Sequence, residues 1–326
     1  MARQQHWALP QELRPDPDKL SYDFDAAARS VVLLRADVPE DAYTAETLGT
    51  DRLGNGAIVE IAGRNVVLTM GYLVAEAANI WITTHSGRIV SGHALAYDYA
   101  SGFGLVQPLG PLDAGPLARA SATPLQVGDA LCVLAHGGLP HALATTLVAR
   151  REFAGYWEYL IDDALFVAPH HPLWGGTALL DAAGRLVALG SLLVQQTVDD
   201  ERHEANMFVP LDVVEPLLPE LAAHGTRDAA PRPWLGMYST ENNGRVVVAG
   251  VLANAPAHRA GVEPGDTLLE VAGTPVESLA HFYRTLWAQG DAGVRVGLLV
   301  QRGGAQKLIE VHTAMREQFL RTPVVH

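Results

Sequence analysis

A single cysteine in 326 residues, Cys132, excludes any disulfide within the chain. It lies in the apolar run Ala130-Leu131-Cys132-Val133-Leu134, which predicts a buried strand position. No apolar run reaches the roughly 20 residues that a membrane-crossing helix needs. Residues 1–30 also hold no apolar core of signal-peptide length, so a cytoplasmic protein without membrane insertion is expected. Lysine and arginine number 23 against 36 acidic residues, a formal net charge of −13 with no basic run, which argues against a nucleic-acid surface. Phosphate-cradling glycine loops, dinucleotide fingerprints and carboxylate-rich ligand motifs are absent, so no cofactor is expected. Histidine is plentiful at 13. His136, His141, His170 and His171 are the ones that could gather, but adjacent His170 and His171 point to opposite faces of an extended chain, so no metal site is expected.

What is present reads as β structure. Glycine at 31 and proline at 20 suit a turn-rich chain, and 48% hydrophobic residues can fill more than one core. Short apolar runs such as Ser30-Val31-Val32-Leu33-Leu34, Ala57-Ile58-Val59 and Asn65-Val66-Val67-Leu68 are separated by Gly, Asp and Asn turn signals. A second set includes Val127-Gly128-Asp129-Ala130-Leu131 and Ala144-Thr145-Thr146-Leu147-Val148. Residues 1–27 are polar and proline-containing, with Trp7, Tyr22 and Phe24, and read as an arm that docks on a surface. Helical spacing is expected from Val213 to Ala223, and a charged, proline-bearing linker over 224–232. Ser278 is placed to cap a helix on which Leu279, Phe282 and Leu286 form one stripe.

Several segments resemble one family. Pro172-Leu173-Trp174-Gly175-Gly176-Thr177-Ala178-Leu179 is similar to the Gly-Asn-Ser-Gly-Gly-Pro-Leu segment of the HtrA/DegP serine proteases. Thr69-Met70-Gly71-Tyr72-Leu73-Val74 resembles their Thr-Asn-Ala-His-Val-Val, and Ser101-Gly102-Phe103-Gly104-Leu105-Val106 their Ser-Asp-Ile-Ala-Leu-Leu. On this resemblance Trp174 stands at the nucleophile's position, Tyr72 at the histidine's and Gly102 at the aspartate's. Pro172 stands at an oxyanion donor's and has no N–H to give. The triad acts as one unit, and a phenol with a reference pKa of about 10 is a poor base near neutrality. The resemblance therefore implies a pseudoprotease with no catalytic residues.

The C-terminal third carries Trp234-Leu235-Gly236-Met237, Asn254-Ala255-Pro256-Ala257, Ala260-Gly261-Val262-Glu263-Pro264-Gly265-Asp266 and the strand Arg295 to Gln301, and resembles an HtrA-type PDZ domain. That implies a groove taking a peptide as an added strand. Leu235, Gly236 and Met237 would hold its terminal carboxylate by N–H groups within the loop from Trp234 to Met237, with Arg232 as a nearby charge. Met237, Phe282 and Leu286 would line the side-chain pocket.

The expected fold is mainly β: an arm (1–27), a trypsin-like double β-barrel (28–223), a linker (224–232), a PDZ domain as a small α/β half-open barrel (233–316) and a tail (317–326). The expected role is a non-catalytic scaffold or adaptor that binds a protein partner or peptide C-terminus. By resemblance the arm could help to join three protomers. The alternatives are an active hydrolase with a relocated nucleophile, for which Ser101 or Ser191 are candidates outside any Gly-x-Ser-x-Gly pattern, or an ATP-independent holdase chaperone.

Overall fold

The apolar runs form two closed six-stranded antiparallel barrels and one further sheet in the computed structural model, which describes residues 7–198 and 201–321. The chain divides into two units, one of residues 7–151 with 163–227, the other of residues 152–162 with 228–321.

In the first unit, β1 (Val31–Asp37), β2 (Asp51–Ile61), β3 (Arg64–Met70), β4 (Asn79–Thr83), β5 (Ile89–Tyr97) and β6 (Phe103–Pro108) close in the order β1-β2-β3-β6-β5-β4. Alternation directs side chains inward: Leu34 and Ala36 are buried while Arg35 between them is exposed. A Cβ at Gly56 would lie 2.4 Å from the Val67 side chain, so glycine there lets β2 and β3 approach. The second barrel, β7 (Ala130–Leu134), β8 (Ala142–Gly155), β9 (Tyr159–Ala168), β10 (Ala178–Leu180), β11 (Leu186–Val198) and β12 (Glu201–Pro210), closes in the order β10-β11-β12-β9-β8-β7. Cys132 is buried in β7, and desolvation pushes its thiol up to about 12.

Short helices punctuate this unit: α1 (Phe24–Arg29), α2 (Ala45–Leu48), α3 (Gly71–Val74) and α4 (Leu218–His224). Asp23 caps α1 by accepting the Ala26 N–H at 2.9 Å. The helix expected from Val213 is shorter, because the chain runs through two 3-10 turns before α4 begins. The arm lies on its own second barrel. Leu9 N–H donates to Pro140 O, the Ser21 hydroxyl donates to Ala182 O, and the Trp7 ring meets His141 edge-on at 4.5 Å.

In the second unit, β13 (Met237–Asn242), β14 (Arg245–Val251), β15 (Thr267–Val271), β17 (Arg295–Arg302) and β18 (Ala305–His312) lie in sequence order, with β16 (Thr274–Pro275) pairing β15. Helices α5 (Pro256–Ala260) and α6 (Leu279–Trp287) complete it. The Ser278 hydroxyl caps α6 by accepting the His281 N–H at 3.0 Å, and Leu279, Phe282 and Leu286 bury their stripe in the core. Gly265 has φ +92, the left-handed backbone that its turn requires.

The observed division differs from the expected one in two places. Residues 152–162, read as part of the barrels, group with the second unit. The expected tail begins inside that unit, where Phe319 packs on Trp234 at 5.0 Å. Among the described residues, no helix is long and apolar enough to cross a membrane.

Candidate functional site

The first site lies in the first unit, where the segments that carry Tyr72, Gly102 and Trp174 are neighbours. Tyr72 lies on α3, which starts where β3 ends. Gly71 N–H donates to Gly102 O at 2.8 Å, which sets position 102 beside it. The loop bearing Trp174 is held by Asn55 N–H donating to Gly175 O at 2.7 Å. A Cβ at Gly175 would lie 2.9 Å from the Tyr72 hydroxyl, so the phenol reaches the residue beside Trp174.

The Tyr72 hydroxyl donates to Ser191 O at 3.0 Å, and desolvation, with Tyr97 adding to it, raises its pKa further above the ordinary phenol value. Gly102 has φ +82, a backbone region in which a side chain is strained. Pro172 is exposed and carries no donor.

A buried imidazole braces the same loop. His171 Nδ1 accepts the Leu173 N–H at 3.0 Å while its Nε2–H donates to His141 O at 3.1 Å, which fixes a neutral tautomer. Burial depresses its pKa to about 4, so it stays neutral at physiological pH. Asn206 Nδ2 donates to His171 O at 3.2 Å. His171 is thus a structural strut with both nitrogens occupied. His170 points elsewhere, towards Glu204 at 3.5 Å. Among the described residues no group of three His, Cys, Asp or Glu could hold a metal.

The two candidate relocated nucleophiles are buried. The Ser101 hydroxyl lies 3.5 Å from Asp98 O and accepts the Phe103 N–H at 3.4 Å, in a turn that Asp98 and Arg227 stabilise. Ser191 lies within β11, its carbonyl taken by Tyr72.

The second site is the loop Trp234–Met237 of the second unit, and it is filled. Glu158, at the tip between β8 and β9, places its carboxylate against three successive N–H groups. Gly236 donates at 2.8 Å, Met237 at 3.3 Å and Leu235 at 3.0 Å. Burial pushes the Glu158 pKa up to about 7, against the lowering effect of the three N–H bonds and of Arg316. The nearby cation is therefore Arg316; the Arg232 guanidinium stacks 4.4 Å over the Trp287 ring instead. Trp234 bridges to Ala314, its N–H donating to Ala314 O at 3.2 Å. Met237, Phe282 and Leu286 belong to one buried apolar cluster, which Leu160 from the tip also enters.

Glu158 has no mark in its local sequence, because its partner loop lies 77 residues or more away. The one available signal is composition: Phe153, Tyr156, Trp157 and Tyr159 crowd a strand-turn-strand stretch.

A trypsin-like peptidase domain model matches residues 54–189 and a PDZ domain model matches residues 233–313. The putative serine protease HhoA of Synechocystis is 26% identical over 299 residues, covering 83% of this chain and 71% of that protein. The periplasmic serine endoprotease DegP of Escherichia coli is 24% identical over 284 residues, covering 82% of this chain but 58% of DegP. Among solved structures, the HtrA-type protease AlgW with tripeptide superposes with a TM-score of 0.51 at 18% identity, covering 92% of this chain and 96% of that one. The serine endoprotease from Yersinia pestis gives a TM-score of 0.52 at 17% identity, covering 91% and 99%.

Proposed function

This chain is an HtrA/DegP-like protein, a trypsin-like peptidase domain followed by a PDZ domain, and from that premise we propose that it is a catalytically inactive member serving as a protein-binding scaffold. The observation that carries the reading is the convergence of the segments of Tyr72, Gly102 and Trp174, with Pro172 on the same loop as Trp174. An indole supplies no nucleophile, a phenol with a raised pKa supplies no base, and a glycine supplies no acid to orient one. The PDZ domain supplies the binding function through N–H groups that hold a carboxylate. Its partner is a protein or peptide C-terminus. A cytoplasmic place of action belongs to the same proposal, and fractionation of the native cell tests it.

Incubation with unfolded casein tests the loss of catalysis. Neither the native protein nor Trp174→Ser should cleave it, because restoring a hydroxyl restores neither the base nor the missing N–H at Pro172. Cleavage by the native protein that disappears on replacing one serine would sink the reading.

A further inference from the structure

The carboxylate loop of the PDZ domain is occupied by the chain itself. Glu158 does there what a terminal carboxylate would do, accepting the N–H groups of Leu235, Gly236 and Met237. The backbone of the tip adds a strand-like rung to the outer edge of β13, with Ser239 N–H donating to Tyr156 O at 2.8 Å. Leu160 carries an aliphatic side chain into the cluster that contains Met237, Phe282 and Leu286. Tyr283 grips the tip from α6, its hydroxyl donating to Gly155 O at 2.8 Å and accepting the Glu158 N–H at 3.2 Å. Carboxylate, backbone rung and apolar side chain are the three elements of a peptide in such a groove.

We propose that the 152–162 hairpin is a resident ligand of the PDZ groove, and that a partner's C-terminus binds only by displacing Glu158. The proposal rests on the peptide-binding reading given above. An internal glutamate and an α-carboxylate compete for the same three N–H groups, so they cannot be bound together. The hairpin competes as a tethered ligand, with an effective concentration on the order of millimolar, and lowers the apparent affinity of any free peptide by the fraction of time the groove is open. Glu158 itself has φ +58, a left-handed backbone that is strained for a non-glycine residue. The occupant that fits has a free α-carboxylate and a C-terminal aliphatic side chain of about the size of Leu160. A chain lacking the terminal carboxylate leaves three buried N–H groups without an acceptor.

The test is fluorescence anisotropy on the full chain, using labelled hexapeptides that end in Leu, Ile or Val with a free carboxylate, and the same peptides amidated. Glu158→Ala should bind the free-carboxylate peptides at least tenfold more tightly than the native protein, and the amidated set should bind neither. Tyr283→Phe removes the hydroxyl that holds the tip but leaves the carboxylate loop intact. It should give a smaller, several-fold gain and carries the test if Glu158→Ala does not fold. Equal peptide affinities for the native protein and both variants would overturn the proposal, since the groove would then be open already. If no peptide binds any of the three, amide exchange at Leu235, Gly236 and Met237 separates the failures. Fast exchange in Glu158→Ala alone means that the hairpin is resident but the groove is not a peptide receptor, which defeats the function proposed above. Unchanged protection in Glu158→Ala means that the hairpin was never the occupant.

Discussion

Gly176→Ala should destabilise the first unit by more than about 4 kcal/mol, a loss that few single substitutions reach. A Cβ at this position would lie 1.9 Å from the backbone oxygen of Asn55 and 2.8 Å from the Thr69 hydroxyl. The first obstacle is main chain in a barrel strand and cannot swing aside. The residue also has φ +71, which adds strain for any side chain. Gly128→Ala is the control, because Gly128 has φ +100 but nothing within 4 Å of the added atom, so it should lose only about 1–2 kcal/mol. Urea denaturation of both variants measures the difference. Equal losses would mean that the loop carrying Trp174 is not pinned against β2.

The second large effect is a dependence on pH centred on Glu158. Its pKa rises from about 4.5 in the open chain to about 7 when docked, so the docked state binds the proton more tightly. A raised carboxyl pKa contributes stability that is fully present below the open-chain value and is lost as pH climbs through about 7. The span corresponds to roughly 3 kcal/mol between acid and mildly alkaline solution. Glu158→Gln cannot titrate, so the stability of the native protein relative to that variant should fall by this amount between pH 5 and pH 8. Calorimetry at several pH values measures it. A gap that stays constant, or one that widens in favour of the native protein at high pH, would mean that the three N–H bonds outweigh burial.

Residues whose meaning is local were legible in the sequence. The motifs around Trp174, Tyr72, Gly102 and Pro172 keep part of the family pattern, among them Gly175-Gly176, Thr69 with Val74, and Ser101 with Leu105, and those retained positions are what align the four. The β character of the first unit followed from apolar runs and turn residues, its two barrels from the family resemblance, and the stripe on α6 from its spacing. Glu158 was not legible, since nothing in Tyr156-Trp157-Glu158-Tyr159 records a loop 77 residues further on. The resemblance implies Arg232 as the charge near the carboxylate loop, whereas Arg316, in the last turn of the unit, is the cation that lowers the pKa of Glu158. The docking of Trp7 against His141 is equally a product of tertiary packing. Motif reading works where a residue's partner is its neighbour along the chain, and fails where the fold supplies the partner.

The most direct test of the proposed loss of catalysis is intact-mass measurement after exposure to a fluorophosphonate, which forms a covalent adduct with an activated serine and needs no substrate. On the proposed reading, in which Trp174 takes the nucleophile's position and Tyr72 is held on a backbone carbonyl, the mass of the native protein should remain unchanged after prolonged incubation. A single stoichiometric adduct that vanishes in Ser101→Ala or Ser191→Ala would contradict the reading of this protein as an inactive protease.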